Sequence, residues 1–276
     1  MSDIDVALDA LQTGTVSMRL ARTEADIDAA QALRYRVFYD EMEAKPSEEA
    51  ARLRRDVDPF DEVCDHLLVT DHSMGDGAKS VIATYRLLRG AVAESYGRFY
   101  TASEYDIKNL YGLPGEMLEL GRSCVDARSR NRPTMQLLWR GIATYVFHHN
   151  ISVMFGCASL QGTDPKSLAI PLSYLHHFHM APSGFRTKAL PNLYVDMNFC
   201  PPDKLDKRRA LASLPPLIKG YLRLGGFVGD GAVVDEQFNT TDVCIIVKTD
   251  LVTDKYYRHY IRTASEAGTT DEIEHG

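Results

Sequence analysis

The sequence lacks any C-x-x-C pair, although it contains five cysteines. These residues, scattered without a repeated spacing, are Cys64, Cys124, Cys157, Cys200 and Cys244. Structural zinc sites and secreted disulfide scaffolds both depend on patterned cysteines, so the scatter argues against either class. Unpaired cysteines fit a reducing compartment such as the cytoplasm.

Long apolar runs and an excess of basic residues are also absent. No apolar stretch reaches the ~20 residues that a membrane-spanning helix needs. The N-terminal stretch MSDIDVALDALQTG is acidic and lacks the apolar core of a secretory signal. The net charge of -7 disfavours nucleic acid as a partner, and an acidic partner would need a local basic patch. We therefore expect a cytoplasmic protein.

The chain of 276 residues, 45% hydrophobic and 25% charged, has the composition of a globular protein with a sizeable core. We predict a flexible leader over residues 1–14, a single folded domain over 15–265 and a disordered tail over 266–276.

Hydrophobic periodicity predicts an α+β order of elements. A strand is predicted at Val16–Ala21, and Thr23 is predicted to cap a helix that runs through ALRYRVFYDEM. A second strong helix is predicted for NRPTMQLLWRGIATYVFHHN, with Pro133 near its N-terminus. The other main strands are predicted at His66–Asp71, Ser80–Arg89, Met117–Val125, ISVMFGCAS and Val243–Lys248. We expect a mixed β-sheet flanked by helices.

The stretch LELGRSCV, Leu118–Val125, has the apolar pattern of a buried strand but carries Glu119 and Arg122. A buried charge without a partner is costly, so both side chains need partners or a function. Strand alternation places residues three apart on opposite faces, which argues against a direct pair. A bulge at Gly121 would change that facing, and an edge strand with a solvated ion pair stays open as an alternative.

Four stretches together resemble the acyl-homoserine-lactone synthases, a branch of the Gcn5-related N-acyltransferase (GNAT) fold: RYRVFYDEM, DPFDEVCDHLLV, ATYRLL and LELGRSCV. That family carries an arginine and a phenylalanine on the first helix, two aspartates in a turn, an arginine on the third strand and E-L-S-R on the fourth. The comparable positions, with ELGR in place of ELSR, are Arg36, Phe38, Asp58, Asp61, Arg86, Glu119 and Arg122.

The fuller resemblance is to the ornithine lipid synthases, which are L-ornithine N-alpha-acyltransferases. It rests on LRYRVFYDEM, LLWRGIATYV, FGCAS, LPPLIKGYLRLG and FNTTDVCIIV and covers roughly residues 18–260. The resemblance implies a GNAT-like domain with a C-terminal family-specific segment over 203–240. It also implies transfer of a 3-hydroxyacyl chain from acyl carrier protein to the α-amine of ornithine, giving lyso-ornithine lipid without a metal or redox cofactor.

Two alternatives to this activity stay open. One is an acyl-homoserine-lactone synthase that uses S-adenosylmethionine, although that family lacks the segment Leu214–Asp235. The other is a non-catalytic module that docks an acyl carrier or a membrane. Such a module would not need Glu119 together with Asp58 and Asp61.

The resemblance places the catalytic residues on the fourth strand. Amide formation from a thioester needs a base for the amine and donors for the tetrahedral oxyanion. Glu119 in a partly apolar site is the candidate base, and a purely structural ion pair is its alternative. Backbone N–H groups of Ser123, Cys124 and Val125 are the candidate oxyanion donors, and Arg122 is expected to shape the site. Cys124 as an acyl nucleophile is a weaker alternative, because the motif shows no histidine partner.

The predicted acceptor site uses charged residues from three stretches. Arg36 and Arg86 are expected to bind the acceptor's carboxylate, with Phe38 beside them. Asp58 and Asp61 are expected to bind its ammonium. The alternative for DVDPFD is an Asp-Pro turn with helix-capping aspartates, and Arg122 pairing with one of them would be structural.

The loop DARSRNRP, Asp126–Pro133, contains no glycine, whereas acetyl-CoA-dependent relatives hold the pyrophosphate with a glycine-rich loop. A carrier protein's single phosphopantetheine phosphate needs less of such a cradle. We expect Arg128, Arg130 and Arg132 to contact the acidic surface of acyl carrier protein.

Two further motifs are considered as functional segments. The segment Leu214–Asp235 either packs into the core or contacts the inner membrane peripherally through Lys219 and Arg223, which binding to anionic vesicles would measure. Its stretch GGFVGDG lacks the strand-to-helix context of a phosphate-binding fingerprint. The stretch HHFH, His176–His179, is expected to be an ordinary helix, and no metal site is predicted.

Overall fold

Ten strands form one sheet within residues 2–75 and 77–252, the part of the chain that this computed structural model describes. The strands are β1 (Gln12–Thr13), β2 (Val16–Leu20), β3 (Asp65–Asp71), β4 (Val81–Arg89), β5 (Tyr105–Asp106), β6 (Glu116–Val125), β7 (Ile151–Gln161), β8 (Lys188–Ala189), β9 (Phe227–Asp235) and β10 (Thr240–Lys248). Their order across the sheet is β1-β2-β3-β4-β6-β7-β10-β9-β8-β5. The mixed sheet is confirmed, since β6 and β7 pair in parallel while their other neighbours run antiparallel.

Helices cover both faces of this sheet. The α-helices of the described residues are α1 (Asp3–Asp9), α2 (Glu24–Tyr35), α3 (Glu48–Leu53), α4 (Gly90–Tyr96), α5 (Lys108–Tyr111), α6 (Arg132–His148), α7 (Ala169–His179), α8 (Lys207–Ser213) and α9 (Pro216–Arg223). Helix α6 makes the crossover between β6 and β7, as a parallel pair requires. None of the helices in this part of the chain is long and apolar enough to cross a bilayer.

Helix α2 begins where the sequence predicts. The side chain of Thr23 accepts a hydrogen bond from the backbone N–H of Asp26, and the Asp26 carboxylate accepts from the Thr23 backbone in return. The helix then continues as a π-helix over Arg36–Glu41. Such a π-helical turn is rare and occurs often at functional sites.

The predicted flexible leader is wrong for most of its length. Residues Asp3–Asp9 form α1, which is capped by the side chain of Ser2. Ile4, Leu8 and Leu11 are buried in the same core cluster as α6. Apolar residues at i, i+4 and i+7 give α1 one apolar face, and burying that face against the domain orders the segment. The predicted tail over 266–276, and the domain end at 265, lie outside the described residues.

Strand β6 separates the two cores of the domain. Leu118 and Leu120 point into the cluster under α6, α7 and α9. Glu119 lies between them in sequence and therefore faces the opposite side of the sheet, where Tyr100 borders a second cluster that includes Phe155. A charged side chain in the middle of β6 is therefore buried on a face different from that of its apolar neighbours.

The segment Leu214–Asp235 mainly packs into the core. Leu214, Ile218 and Tyr221 are buried, and the hydroxyl groups of Tyr85 and Tyr221 are hydrogen-bonded across the core. Leu217, Leu222 and Leu224 are partly buried against the same cluster. This leaves little apolar surface for a bilayer, and peripheral contact with the inner membrane through Lys219 and Arg223 stays a prediction.

The glycine-rich stretch of this segment is a bulge in β9. Ala232 pairs with Val243 and Val228 with Ile245, so three residues of β9 lie opposite the single residue Cys244. Gly231 adopts φ 85°, and a Cβ there would lie 2.5 Å from the ring of Tyr194. Glycine is needed for this backbone turn and close approach, not for binding a phosphate.

Candidate active site

The parallel strands β6 and β7 separate at the centre of the sheet. Their pairing runs from Glu116–Ile151 to Glu119–Phe155 and ends there. At the last close approach, a Cβ on Gly156 would lie 2.2 Å from the carbonyl oxygen of Leu120, so only glycine fits. Beyond this point the β6 edge lines a cavity of about 610 Å³.

The cavity contacts both faces of the sheet, and its lining differs between them. The apolar lining on the α6 and α9 side includes Leu120, Met135, Met154, Leu217, Tyr221, Ile245 and Val247. The polar lining includes Arg86, Tyr100, Thr101, Glu119, Arg122, Asp235 and Asp242. A space with one apolar branch and one charged branch suits an acyl chain and an amine that meet between them.

Glu119 belongs to the polar lining, and its neighbour Leu120 belongs to the apolar lining. Its carboxylate accepts backbone hydrogen bonds from Tyr100 at 2.9 Å and from Thr101 at 2.6 Å, and it makes no ion pair with Arg122. Burial raises the pKa of Glu119 above its ordinary value, and the Thr101 and Tyr100 donors only partly oppose this. A carboxylate with a raised pKa in a cavity has the properties of a general base.

Beside Glu119, three arginines and three aspartates form a closed ring of alternating charges, which we call the charge ring. Its ion pairs connect Arg34 to Asp56 and Asp61, Arg86 to Asp58 and Asp61, and Arg122 to Asp56 and Asp58. The N···O distances lie between 2.6 Å (Arg34–Asp61) and 3.3 Å (Arg86–Asp61). Each charge thus contacts two opposite charges, and the six sum to zero.

Aromatic rings pack against the arginines of the charge ring. The Arg122 guanidinium lies 5.0 Å from the Tyr100 ring centroid and 4.8 Å from that of Phe238. Burial by itself would raise the pKa of Asp61, but hydrogen bonds and charge from Arg34 outweigh it and hold that pKa below its ordinary value. Asp61 therefore stays ionised at neutral pH.

This geometry corrects the acceptor role predicted for Asp58 and Asp61. The Asp58 side chain accepts from the Phe60 backbone at 2.8 Å and caps the 3-10 helix Pro59–Glu62, with Asp61 completing a capping box. Both carboxylates are also saturated by arginines, so neither has charge left for an ammonium group. The alternative interpretation, a capped Asp-Pro turn with Arg122 paired to Asp58, is the one that the structure supports.

A bulge in β6 explains how Arg122 reaches the charge ring. Thr84 pairs with Cys124 and Arg86 with Gly121, so Arg122 and Ser123 lie opposite the single residue Tyr85. Arg122 adopts φ 48°, which is unfavourable for a residue with a side chain. Its ion pairs with the ring hold it in that conformation.

The residue that distinguishes ELGR from ELSR is not sterically constrained. A Cβ on Gly121 would meet only the Arg86 side chain, at 3.7 Å, which is an ordinary contact. The serine of the resembled motif would therefore fit at this position.

Arg36 does not reach the acceptor site. Its side chain is 37% exposed and lies 3.7 Å from Asp126, outside the cavity lining. The predicted carboxylate contact from Arg36 stays a prediction that this geometry does not favour, whereas Arg34, in the last turn of α2, is the buried arginine of this helix. Arg86 does line the cavity, but the charge ring compensates its charge. Phe38 lines the cavity and packs edge-on against Phe238 at 5.7 Å.

Ser123, Cys124 and Val125 all line the cavity along the part of β6 that no longer pairs with β7. The role of their backbone N–H groups as oxyanion donors stays a prediction. Burial raises the pKa of the Cys124 thiol to about 12. The thiol is thus un-ionised at neutral pH, which argues against the nucleophile alternative.

The arginines of DARSRNRP are less free than predicted. Arg128 pairs with Asp126 at 3.0 Å, and Arg130 forms a bidentate pair with Glu41 while donating to the Val125 carbonyl at 3.1 Å. Arg132 opens helix α6, is exposed and forms no ion pair within the described residues. Of the three, Arg132 is the one available to a partner.

Sequence reasoning missed Arg34 and Asp56. Arg34 follows Ala30 by four residues and precedes Val37 by three, so helical periodicity placed it on the buried face of α2. A cation at such a position requires buried anions. Asp56 lies two residues before Asp58, and nothing local distinguishes it.

The stretch His176–His179 is helical, as expected. It forms the C-terminal turn of α7, and His177 is within hydrogen-bond distance of the Cys200 carbonyl, 2.8 Å from its Nε2.

Comparison with known proteins identifies the family. Residues 33–140 match the family described as acetyltransferase (GNAT) domain. The chain is 49% identical over 245 residues to the L-ornithine N(alpha)-acyltransferase of Rhizobium meliloti, covering 88% of this chain and 83% of that protein. It is 42% identical over 252 residues to the protein of the same name from Rhodobacter capsulatus, covering 91% and 96%. The chain belongs to the L-ornithine N(alpha)-acyltransferase family.

This family membership confirms the GNAT fold and shows that the protein is an acyltransferase. The names of the relatives favour ornithine acylation over the lactone-synthase alternative. Among solved structures, the N-acyl amino acid synthase FeeM from uncultured soil microbes aligns with a TM-score of 0.45 at 12% identity, covering 86% of this chain and 93% of that chain.

Replacing Glu119 with glutamine tests its role as the base. We expect kcat to fall about 10²- to 10⁴-fold, the usual contribution of a positioned general base. The loss of one backbone acceptor should cost ~1–2 kcal/mol of stability. Steady-state kinetics and thermal unfolding measure the two effects.

Glu116→Gln is the matched control for this variant. Glu116 lies on the same strand and accepts the backbone N–H of Ala91 at 3.1 Å, but it does not line the cavity. Glu119→Gln retaining most of its rate, or Glu116→Gln losing as much, would sink the assignment.

The charge ring gives a second prediction. Asp58→Asn leaves two buried arginines short of one carboxylate, so unfolding should become easier by about 3–5 kcal/mol. The melting temperature should fall by roughly 6–15 °C. At a temperature where the variant is folded, the KM values for donor and acceptor should change little.

Asp28→Asn serves as the control, because it breaks an exposed pair with Arg55 and should cost less than about 1 kcal/mol. A stable Asp58→Asn enzyme with a raised KM for the acceptor alone would restore the substrate role to Asp58.

Proposed function

We propose that the protein transfers a 3-hydroxyacyl chain from acyl carrier protein to the α-amine of ornithine, forming lyso-ornithine lipid. The observation that carries this proposal is that the buried carboxylate of Glu119 lines one cavity together with an apolar wall and further charged side chains. The reaction needs no metal or redox cofactor. The relatives named L-ornithine N(alpha)-acyltransferase support the acceptor.

In the proposed reaction, the thioester carbonyl lies against the free edge of β6 and the acyl chain lies along Leu120, Met154 and Leu217. Glu119 takes a proton from the α-ammonium, directly or through water, and the amine attacks the carbonyl carbon. Backbone N–H groups at Ser123–Val125 donate to the oxyanion. The attacking nitrogen then loses its second proton as the C–S bond breaks, this proton passes to the departing phosphopantetheine thiolate, and the proton on Glu119 is released to solvent.

The surroundings of the loop Asp126–Pro133 support a carrier protein as the donor. Arg36, Arg128, Arg130 and Arg132 bring four positive charges, and the carboxylates paired with them, Asp126 and Glu41, bring two negative charges. The excess of two positive charges at the start of α6 favours an acidic partner and a phosphate.

A donor and acceptor matrix tests the function directly. The purified protein is incubated with 3-hydroxyacyl carrier protein or 3-hydroxyacyl-CoA, together with ornithine, lysine, homoserine or S-adenosylmethionine, and products are read by mass spectrometry. We expect Nα-(3-hydroxyacyl)ornithine as the main product and the carrier protein as the much better donor. Lactone formation would contradict ornithine as the acceptor. Equal use of the CoA thioester would contradict the carrier protein as the donor.

Arg132→Glu tests the donor surface. Reversing this unpaired charge should raise the KM for the carrier protein about 10-fold at low salt and by less at high salt, because exposed charges are screened. The KM for ornithine should stay unchanged. Arg209→Glu is the control, since this exposed arginine lies on α8, away from the loop. Equal effects from both variants would mean that the response reflects net charge and not a docking site.

A further inference from the structure

A second group of carboxylates lies at the wall of the cavity, apart from Glu119 and the charge ring. One oxygen each from Glu104, Asp235 and Asp242 lies within 4.8 Å of the other two. Asp235 and Asp242 line the same cavity as Glu119. We call these three residues the acidic cluster.

The acidic cluster lacks a counter-charge. Glu104 is 8% exposed and Asp242 is 6% exposed. Glu104 Oε2 and Asp242 Oδ1 have no hydrogen-bond partner in the described part of the chain, and the donors near the two carboxyl groups are the uncharged side chains of Cys157, Ser159 and Thr240. Arg122 is the basic residue that acts on them electrostatically, and it is committed to Asp56 and Asp58. Buried carboxylate oxygens without donors are costly unless a ligand supplies the donors.

Burial, together with the neighbouring carboxylates, raises the pKa of both Glu104 and Asp242 above their ordinary values. A cation bound among them would relieve this repulsion. The charge ring in the same site does not lack positive charge, because each of its aspartates contacts two arginines.

The spacing between Glu119 and the acidic cluster matches a diamino acid. On β7, Glu119 pairs with Phe155 and Asp242 pairs with Ser159. Phe155 and Ser159 are four positions apart and therefore face the same side of the sheet. At about 3.3 Å per residue this is roughly 13 Å along β7, and β6 and β10 lie about 10 Å apart on either side of it, so the Cα atoms of Glu119 and Asp242 are roughly 16 Å apart, with both side chains lining the cavity between them. The two nitrogens of extended ornithine lie about 6 Å apart by standard bond lengths, and a hydrogen bond of about 2.9 Å at each end extends the reach to roughly 12 Å.

We infer that Glu104, Asp235 and Asp242 bind the side-chain ammonium of the diamino-acid acceptor, while Glu119 faces its α-amine. This inference rests on the function proposed above and names the residues that select its substrate. An ammonium group offers three donors, which matches the free oxygens of Glu104 and Asp242 and the third carboxylate beside them. Asp235 is partly occupied, because its Oδ1 caps the turn at Gln237 and Phe238.

Norvaline tests the inference, because it is ornithine without the side-chain ammonium. With 3-hydroxyacyl carrier protein as donor, we expect kcat/KM of the wild-type enzyme for norvaline to be at least about 100-fold below that for ornithine. Asp242→Asn and Glu104→Gln should each lower kcat/KM for ornithine by a similar factor. Their values for norvaline should stay within about 3-fold, so that the preference for ornithine collapses.

Glu236→Gln is the matched control. Glu236 neighbours Asp235 but is exposed and pairs with Lys45 at the surface, so the preference for ornithine should be unchanged. Thermal unfolding verifies that the variants fold. Because each removes one member of a repelling buried group, we expect Asp242→Asn and Glu104→Gln to be at least as stable as the wild type at pH 8.

The outcomes separate the two proposals. A wild-type enzyme that does not acylate ornithine contradicts the proposed function. If it acylates ornithine but folded variants keep the wild-type preference over norvaline, the acidic cluster is not the ammonium site. If EDTA abolishes wild-type activity and Mg²⁺ or Mn²⁺ restores it, the cluster holds a metal ion, and the inference is overturned.

Discussion

The closed ring of Arg34, Arg86 and Arg122 with three aspartates is the interaction on which the site depends. It connects helix α2, the turn before β3 and strands β4 and β6 through six ion pairs. A buried charge without its partner would be strongly destabilising, so these elements can pack only in a register that closes the ring. The ring also holds Arg122 at its positive φ and thereby keeps the bulge in β6. We expect the bulge, held in this way, to make the site rigid.

The second constraint is the separation of β6 from β7. A parallel pair that continued beyond Glu119 and Phe155 would fill the centre of the sheet with backbone hydrogen bonds. Because the pairing ends there, a cavity opens that touches both faces. Apolar and charged lining can then lie within one space, although strand alternation keeps them on opposite faces of the sheet. Amide formation between an acyl chain and a charged amino acid requires this combination.

Buried carboxylates in this protein fall into two groups that differ in their partners. Asp61 has arginines on either side, and its pKa is lowered, so it stays charged and structural. Glu119, Glu104 and Asp242 lack a paired cation, and burial raises their pKa values. Charge balance within a few ångströms therefore separates the residues that hold the fold from those available to a substrate.

Much of the architecture follows from local sequence. Periodicity and caps are properties of neighbouring residues, so Thr23 marked the start of α2, and the strand patterns marked the mixed sheet. The apolar pattern of LELGRSCV likewise predicted that Glu119 lies on a buried strand. The apolar face of α1, which Ile4 and Leu8 form, was overlooked, because seven residues gave too short a pattern.

The partners of each charge were decided by the tertiary structure. Asp58 and Asp61 looked like ligands for an ammonium, but Arg34, Arg86 and Arg122, all distant in sequence, pair with them. Glu104 and Asp242 gave no local signal at all, because 137 residues separate the turn after Thr101 from the strand that meets it. Local sequence determines which segments form helices and strands, since those depend on near neighbours. Whether a buried carboxylate is paired or free depends on long-range packing, which the sequence does not display.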